Sequence, residues 1–189
     1  MTDFKIHTME TAPARSRPLL ENSLKGFGMI PNLHAVMAES PQTLEAYQTL
    51  HSLFQASSLS PVERHVVWLT INVEHACHYC VPAHTGLAHM DKVAPEIIDA
   101  LREARPLTDP RLEALRTFTL SALRNRGRVD DAQVNAFLEA GFTRAAVLDV
   151  VLGLAQKVLS NYVNHFADTP VDTAFAKFGW DANQAQAAE

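Results

Sequence analysis

The stretch Ser60-Pro61-Val62-Glu63-Arg64-His65-Val66-Val67-Trp68-Leu69-Thr70-Ile71 decides the fold. Its second half is rich in β-branched residues. Read alone, it passes for a buried strand, because a short apolar run has no period that separates strand from helix. The first half resolves the ambiguity. Ser60, Pro61 and Glu63 form a capping-box pattern with proline at the first helical position, which satisfies backbone N–H groups that a helix start leaves unpaired. The run is therefore predicted as a helix.

Outward from this stretch every signal is helical. Toward the C-terminus, Pro82 marks a first turn leading to about Met90, and Ala94–Glu103 forms a further helix. Thr108-Asp109-Pro110 opens an amphipathic stretch to Arg126 that Gly127 stops, and Asp130–Ala140 closes at Gly141. Thr143 caps a long helix carrying Val147, Val150, Val151, Leu154, Val158, Leu159 and Tyr162. Toward the N-terminus, Leu19, Leu20, Leu24 and Phe27 lie at helical spacing before Gly28. Pro31 opens a short apolar segment, and Ser40-Pro41 caps a helix with Leu44, Tyr47, Leu50, Leu53 and Phe54 on one face. No Asn-Gly or Asp-Gly hairpin signal occurs. The expected fold is all-α, a compact multi-helix bundle, with residues 17–189 as one domain. Residues 1–16 lack a sustained period and are expected as a poorly ordered arm or an oligomer-clasping tail.

Composition narrows the function classes. The 189 residues are 47% hydrophobic, enough for a sizeable core. A net charge of −5 supplies no broad positive field for nucleic acid or anionic lipid. No run approaches the roughly 20 uninterrupted apolar residues that span a bilayer, and the first 18 residues lack the apolar stretch of a signal peptide. The expectation is a cytoplasmic protein with neither nucleic acid nor membrane as partner. In a reducing compartment two cysteines suit redox catalysis or metal binding better than a disulfide scaffold.

The reactive groups concentrate in Glu74-His75-Ala76-Cys77-His78-Tyr79-Cys80-Val81-Pro82-Ala83-His84. Cys-x-x-Cys spacing sets two sulfurs on one side of a helical turn, close enough to bridge. At the start of the Pro82 helix, free N–H groups and the helix dipole would lower a thiol pKa from roughly 8.5 toward neutrality. His84, four residues after Cys80, shares its helix face and is positioned to move a proton. The same residues also fit a zinc site of Cys77, Cys80 and His84 completed by His75 or His78, or simple burial. Asn161, Asn164 and His165 form an unusual polar cluster at the end of an apolar helix, read as helix-end hydrogen bonding or part of a site wall.

These residues resemble the alkylhydroperoxidase AhpD-like, carboxymuconolactone decarboxylase superfamily. The resemblance rests on Leu59–Arg64 and on Cys77-His78-Tyr79-Cys80-Val81-Pro82-Ala83-His84. Gly28-Met29-Ile30-Pro31-Asn32-Leu33, Asn161-Tyr162-Val163-Asn164-His165 and Thr169-Pro170 extend it to the longer peroxidase-related members. The resemblance implies an all-helical homo-oligomer and a thiol-dependent hydroperoxide reductase in antioxidant defence. By position, Cys80 would attack, Cys77 would resolve and His84 would relay protons. The pattern departs at one point, since the relay Glu twelve residues before the first Cys is His65 here. Glu63 does not replace it, because two residues along a helix rotate a side chain by about 200°. Glu74, one turn before Cys77, is the better substitute if the helix extends that far.

The combined expectation is a Cys77–Cys80 disulfide cycle that needs no organic cofactor and no metal, with a peroxide as substrate and an external dithiol or thioredoxin-like protein as reductant. Catalytic candidates are Cys80, Cys77, His84, Glu74 and His65. The alternatives are a non-enzymatic redox-sensing oligomer and a lactone-decarboxylating enzyme, which would have no use for the thiols.

Overall fold

A computed structural model describes residues 4–182. Among the described residues the chain forms nine α-helices and one 3-10 turn, with no strand. The helices are α1 (Arg17–Phe27), α2 (Asn32–Met37), α3 (Pro41–Gln55), α4 (Pro61–Glu74), α5 (Cys80–Met90), α6 (Pro95–Arg102), α7 (Pro110–Arg124), α8 (Asp131–Glu139) and α9 (Arg144–Ala167). The 3-10 turn is Thr173–Phe178.

The capping box at Ser60 is present in both halves. The Glu63 N–H donates to Ser60 Oγ at 3.3 Å, and the Ser60 N–H donates to Glu63 Oε2 at 2.8 Å. Glu63 also accepts from Arg111 Nε at 3.0 Å, so the residue that starts α4 ties it to α7. Every residue from His65 to Asn72 is buried, which explains the strand-like sequence of a helix with no solvent face. α4 packs against α3, α5, α6, α7 and α9, which makes it the axle of the bundle. One apolar cluster surrounds Val66, Trp68, Leu69, Phe118 and Phe137, and a second gathers Leu20, Leu33, Leu44 and Tyr47 with both cysteines.

α9 is the other long packing element. By length and composition it could cross a bilayer, yet its buried side carries Gln156, Lys157, Ser160, Asn161 and Asn164. Apolar groups are instead exposed on its outer side, with Leu148 70% and Phe166 76% exposed. Gly153 sets how closely α9 approaches α3 and α4, since a Cβ there would lie 2.8 Å from Phe54 Cε2 and 3.0 Å from Val67 Cγ1.

Residues 4–16, expected as a poorly ordered arm or an oligomer-clasping tail, lie along α2. His7 N–H donates to the Ala35 carbonyl at 3.2 Å, His7 Nε2 meets Glu39 at 2.7 Å, and the Ser16 hydroxyl donates to the Ala38 carbonyl at 2.6 Å. These long-range polar contacts along α2 leave no periodic trace in sequence. The rest of that arm, residues 1–3, lies outside the described residues, as does the tail 183–189 of the expected 17–189 domain. The 3-10 turn, not anticipated, closes over α5 through Phe175, whose ring leaves no room for a Cβ on Gly86.

Gly153→Ala should lower stability by about 1 kcal/mol, because overpacking against a buried Phe54 ring outweighs the helix-propensity gain of alanine. Urea unfolding should show a lower midpoint at unchanged slope, and a raised midpoint would mean that α9 has room to retreat.

Candidate active site

α4 ends in a way that aims the cysteines. Ala76 adopts a left-handed conformation at φ 50°, with Cys77 N–H bonded to the Asn72 carbonyl at 3.0 Å and Ala76 N–H to the Val73 carbonyl at 2.9 Å. This is a Schellman turn with alanine where glycine is usual, so strain is held one residue before the first cysteine. The chain turns through His78 and Tyr79, and Cys80 is the first residue of α5. Pro82 stands in that first turn, between the Val81 N–H bond to the Cys77 carbonyl and the Ala83 N–H bond to the Tyr79 carbonyl, where its missing N–H costs no bond within α5.

Both sulfurs are buried and unbridged. Cys77 Sγ accepts the Cys80 N–H at 3.3 Å, so the donor at the helix start serves Cys77 rather than Cys80. Cys80 Sγ is held by α9, where Asn164 Nδ2 donates to it at 3.1 Å. Burial pushes the Cys80 thiol up, but hydrogen bonding from Cys77, the Lys157 charge and the Asn164 and Asn161 amides together bring it down to about 6. Its partner moves the other way, because the hydrogen bond to Cys80, burial and the neighbouring sulfur's charge all hold the Cys77 thiol protonated. The opposite shifts favour a Cys80 thiolate beside a Cys77 thiol.

A polar lattice fixes this arrangement. Asn161 donates to Asn72 Oδ1 at 3.0 Å and accepts from His75 Nδ1 at 2.9 Å, while Asn72 Nδ2 donates to the Cys80 carbonyl at 3.3 Å. Tyr79 donates to Asp172 Oδ2 at 2.5 Å and accepts from the Leu33 N–H at 3.2 Å. Asp172 also accepts the Asn32 N–H at 3.0 Å, so two distant segments singled out in the sequence, around Asn32 and after Asn164, meet beside the cysteine turn.

Cys80 opens on a cavity of about 50 Å³ lined largely by apolar and aromatic groups, among them Leu33, Tyr47, Ala83, Leu87 and Phe175. Its polar wall is His34, His51, His84 and Lys157. Burial lowers His34 and His51 to about 4 and lowers His84 well below the usual imidazole range, so all three are neutral at physiological pH. Gln156, oriented by the Trp68 N–H at 2.8 Å, donates to His51 Nδ1 at 3.0 Å and leaves the His51 proton on Nε2. Lys157 Nζ donates to His84 Nε2 at 2.9 Å.

Three of the five sequence candidates thus meet: Cys77, Cys80 and His84. The other two stand apart. Glu74 is the last residue of α4 and forms a two-pronged ion pair with Arg124 at 2.7 Å for each bond, drawn to α7 rather than along the turn. His65 Nε2 bonds Asp91 Oδ2 at 2.8 Å and its ring stands edge-on to Trp68. The zinc alternative finds its histidines dispersed: His75 bonds Asn161, His78 the Thr169 carbonyl and His84 the lysine. No group of three potential metal ligands converges among the described residues. Lys157 escapes a reading based on apolar periodicity. Its signal is polar: Lys157, Asn161 and Asn164 recur at helical spacing on an otherwise apolar helix. His165, grouped with them by sequence, faces outward.

Residues 41–116 match the model of the carboxymuconolactone decarboxylase family. No curated protein sequence matches the chain. Among solved structures, the chain is similar to an alkylhydroperoxidase AhpD core, an uncharacterized peroxidase-related protein from Ralstonia eutropha JMP134, at TM-score 0.81 and 22% identity over 91% of this chain and 93% of that one. A peroxidase-related protein from Silicibacter sp. TM1040 gives 0.77 and 18% over 92% of each. The apo debrominase Bmp8 gives 0.79 and 15% over 98% of each. At these identities the likenesses establish the all-helical fold.

With the protein reduced, iodoacetamide should alkylate Cys80 with a midpoint near pH 6 and leave Cys77 slow throughout. Mass spectrometry of quenched samples measures both, and a midpoint near the ordinary value of about 8.5 would remove the thiolate from the site. Glu74→Gln should leave that midpoint in place, since its carboxylate is engaged with Arg124.

Proposed function

From the match of residues 41–116 to the carboxymuconolactone decarboxylase family model, we propose that this chain is a member of that family and a thiol-dependent hydroperoxide reductase. The observation that carries this reading is the division of labour in the cysteine pair: a stabilised Cys80 thiolate facing a cavity, with a protonated Cys77 in contact with it. The thiolate attacks the peroxide and becomes sulfenic acid. Cys77 then condenses with it, water leaves, and an external dithiol reduces the resulting disulfide. The small, mostly apolar cavity suits the O–OH end of a hydroperoxide and keeps bulk water from the sulfenic acid.

Peroxide treatment should remove two hydrogens from the protein mass, reversibly with dithiothreitol. Cys77→Ser should trap a dimedone adduct at Cys80, whereas an adduct at Cys77 in Cys80→Ser would reverse the roles. Continued peroxide consumption with added dithiol distinguishes an enzyme from a sensor that oxidises once. The same reduced protein offered 2,3,4-tribromopyrrole, which a cysteine-to-alanine variant of the debrominase Bmp8 holds in complex, tests whether likeness of fold extends to that chemistry.

The reading includes assembly from copies of this chain. A groove between α7 and α9, lined by Phe118, Val134, Val147, Val151, Leu154 and Tyr162, adjoins the exposed Leu148 and Phe166, an apolar extent that a lone small domain rarely leaves open. Light scattering at micromolar concentration should give a multiple of 20.9 kDa, and a particle of that mass itself would refute assembly.

A further inference from the structure

Lys157 is a fully buried amine, and among the described residues no carboxylate lies within ion-pair distance of it. Among the described residues its one polar partner at hydrogen-bond distance is His84 Nε2. A buried ammonium without a counter-charge is strongly disfavoured. The groups that face this region from each packed element are His34 on α2, Tyr47 and His51 on α3, Cys77 and Tyr79 in the turn, and Cys80 and His84 on α5, with His65 on α4 behind His84. The imidazoles are neutral and the phenols protonated at neutral pH, and Asp172 is separated from the sulfur by Tyr79. Asp91 is engaged by His65 and lies outside the cavity lining, so the Cys80 sulfur is the negative group that acts most strongly on Lys157.

We propose that Lys157 is the counter-ion of the Cys80 thiolate and the acid that protonates the peroxide's departing oxygen, with His84 positioning its ammonium group. The proposal rests on the hydroperoxide reductase reading. Lys157 and Asn164 lie seven residues apart on one face of α9, and Asn164 touches the sulfur while Lys157 lines the cavity that Cys80 opens on. An ammonium has three hydrogens. One goes to His84, which leaves two for the cavity and the substrate, while the ammonium acts on the sulfur through its charge.

Electrons and protons balance through the cycle. A sulfur lone pair of Cys80 forms an S–O bond to the outer oxygen of ROOH as the O–O bond breaks, so sulfur is oxidised and the peroxide reduced. The departing RO⁻ takes a proton from Lys157, leaving ROH, a sulfenic acid and a neutral amine. Cys77 then yields its thiol proton through Lys157 to the departing hydroxide as the S–S bond forms and the S–O bond breaks. The external dithiol returns two electrons and two protons, one to Cys77 and one to Lys157. The pair of side chains carries no net charge in either state: thiolate with ammonium when reduced, disulfide with amine when oxidised. A dry interior tolerates both. Burial lowers the amine from its ordinary range, which makes it a better acid, while the two cysteines oppose that shift.

The test uses the full-length protein with Lys157→Met, which keeps length and removes charge, and Lys157→Arg, which keeps charge but does not release a proton near neutrality. In Lys157→Met the alkylation midpoint of Cys80 should rise by about one pH unit or more, a shift that loss of packing alone does not produce. Single-turnover oxidation by an alkyl hydroperoxide, corrected for thiolate fraction, should slow about tenfold or more in both variants. Oxidation by a peroxycarboxylic acid, whose carboxylate leaves without a proton, should slow far less. An unmoved midpoint in Lys157→Met overturns the counter-ion role. Equal slowing with both oxidants, or no slowing, overturns the proton donor role, and because this comparison is made within one variant it holds even if Lys157→Arg does not fold. A wild-type protein that ignores every peroxide while the midpoint still shifts would defeat the reductase reading and, with it, proton donation, but not the ion pair.

Discussion

Burying Lys157 and Cys80 together is the constraint around which the rest of the site is arranged. Either charge alone would carry a penalty of several kcal/mol in so dry a place, even after relaxation. Together they offset one another, and the surrounding groups complete the compensation: Asn164 donates to the sulfur, His84 accepts from the ammonium, and burial holds the nearby imidazoles neutral so that they add no competing positive charge. This explains why a helix as apolar as α9 carries five polar residues on its inner side. They are a second wall of the candidate site, built on the longest helix of the fold, which gives better positional control than a loop.

The two walls differ in how they reach Cys80. The turn between α4 and α5 is set by local hydrogen bonds, with Ala76 in a conformation that glycine would adopt more easily. α9 arrives from across the bundle, and its distance is limited by Gly153 against Phe54 and Val67. A substitution at Gly153 is therefore expected to shift the helix that carries Asn164 as well as the core. Stability and thiol chemistry are coupled through that one close approach.

What the sequence disclosed follows the range of the interactions. The capping box at Ser60, the N-caps at Ser40, Asp109 and Thr143, and the cysteine spacing are settled within a few residues, and each was legible. Glu74 was legible only as far as its helix: one turn before Cys77 it shares a face with that residue only if α4 continues, but the left-handed Ala76 breaks the register and Arg124 claims the carboxylate. His65 occupies the expected relay position yet faces Asp91, a residue beyond the end of α5 that no local spacing identifies. The 3-10 turn at Thr173 lacks a side-chain cap and depends on α5 and on Arg102, which donates to the Phe178 carbonyl at 3.1 Å. Lys157 was visible in principle, but only to a reading that follows polar residues around a helix as closely as apolar ones.

The hydrogen bond from Asn164 to Cys80 joins residues 84 positions apart, and the one from Asn32 to Asp172 joins residues 140 apart. Loop closure over such distances follows local helix formation in the order of folding events. On a chain emerging from N- to C-terminus, the cysteine turn is complete long before the wall that ionises it. Lys157, Asn161 and Asn164, which lower the Cys80 thiol, all belong to α9, so that part of the lowering waits for the last long helix to dock. The order of the chain thus delays that share of the reactivity until the cavity around the sulfur has closed.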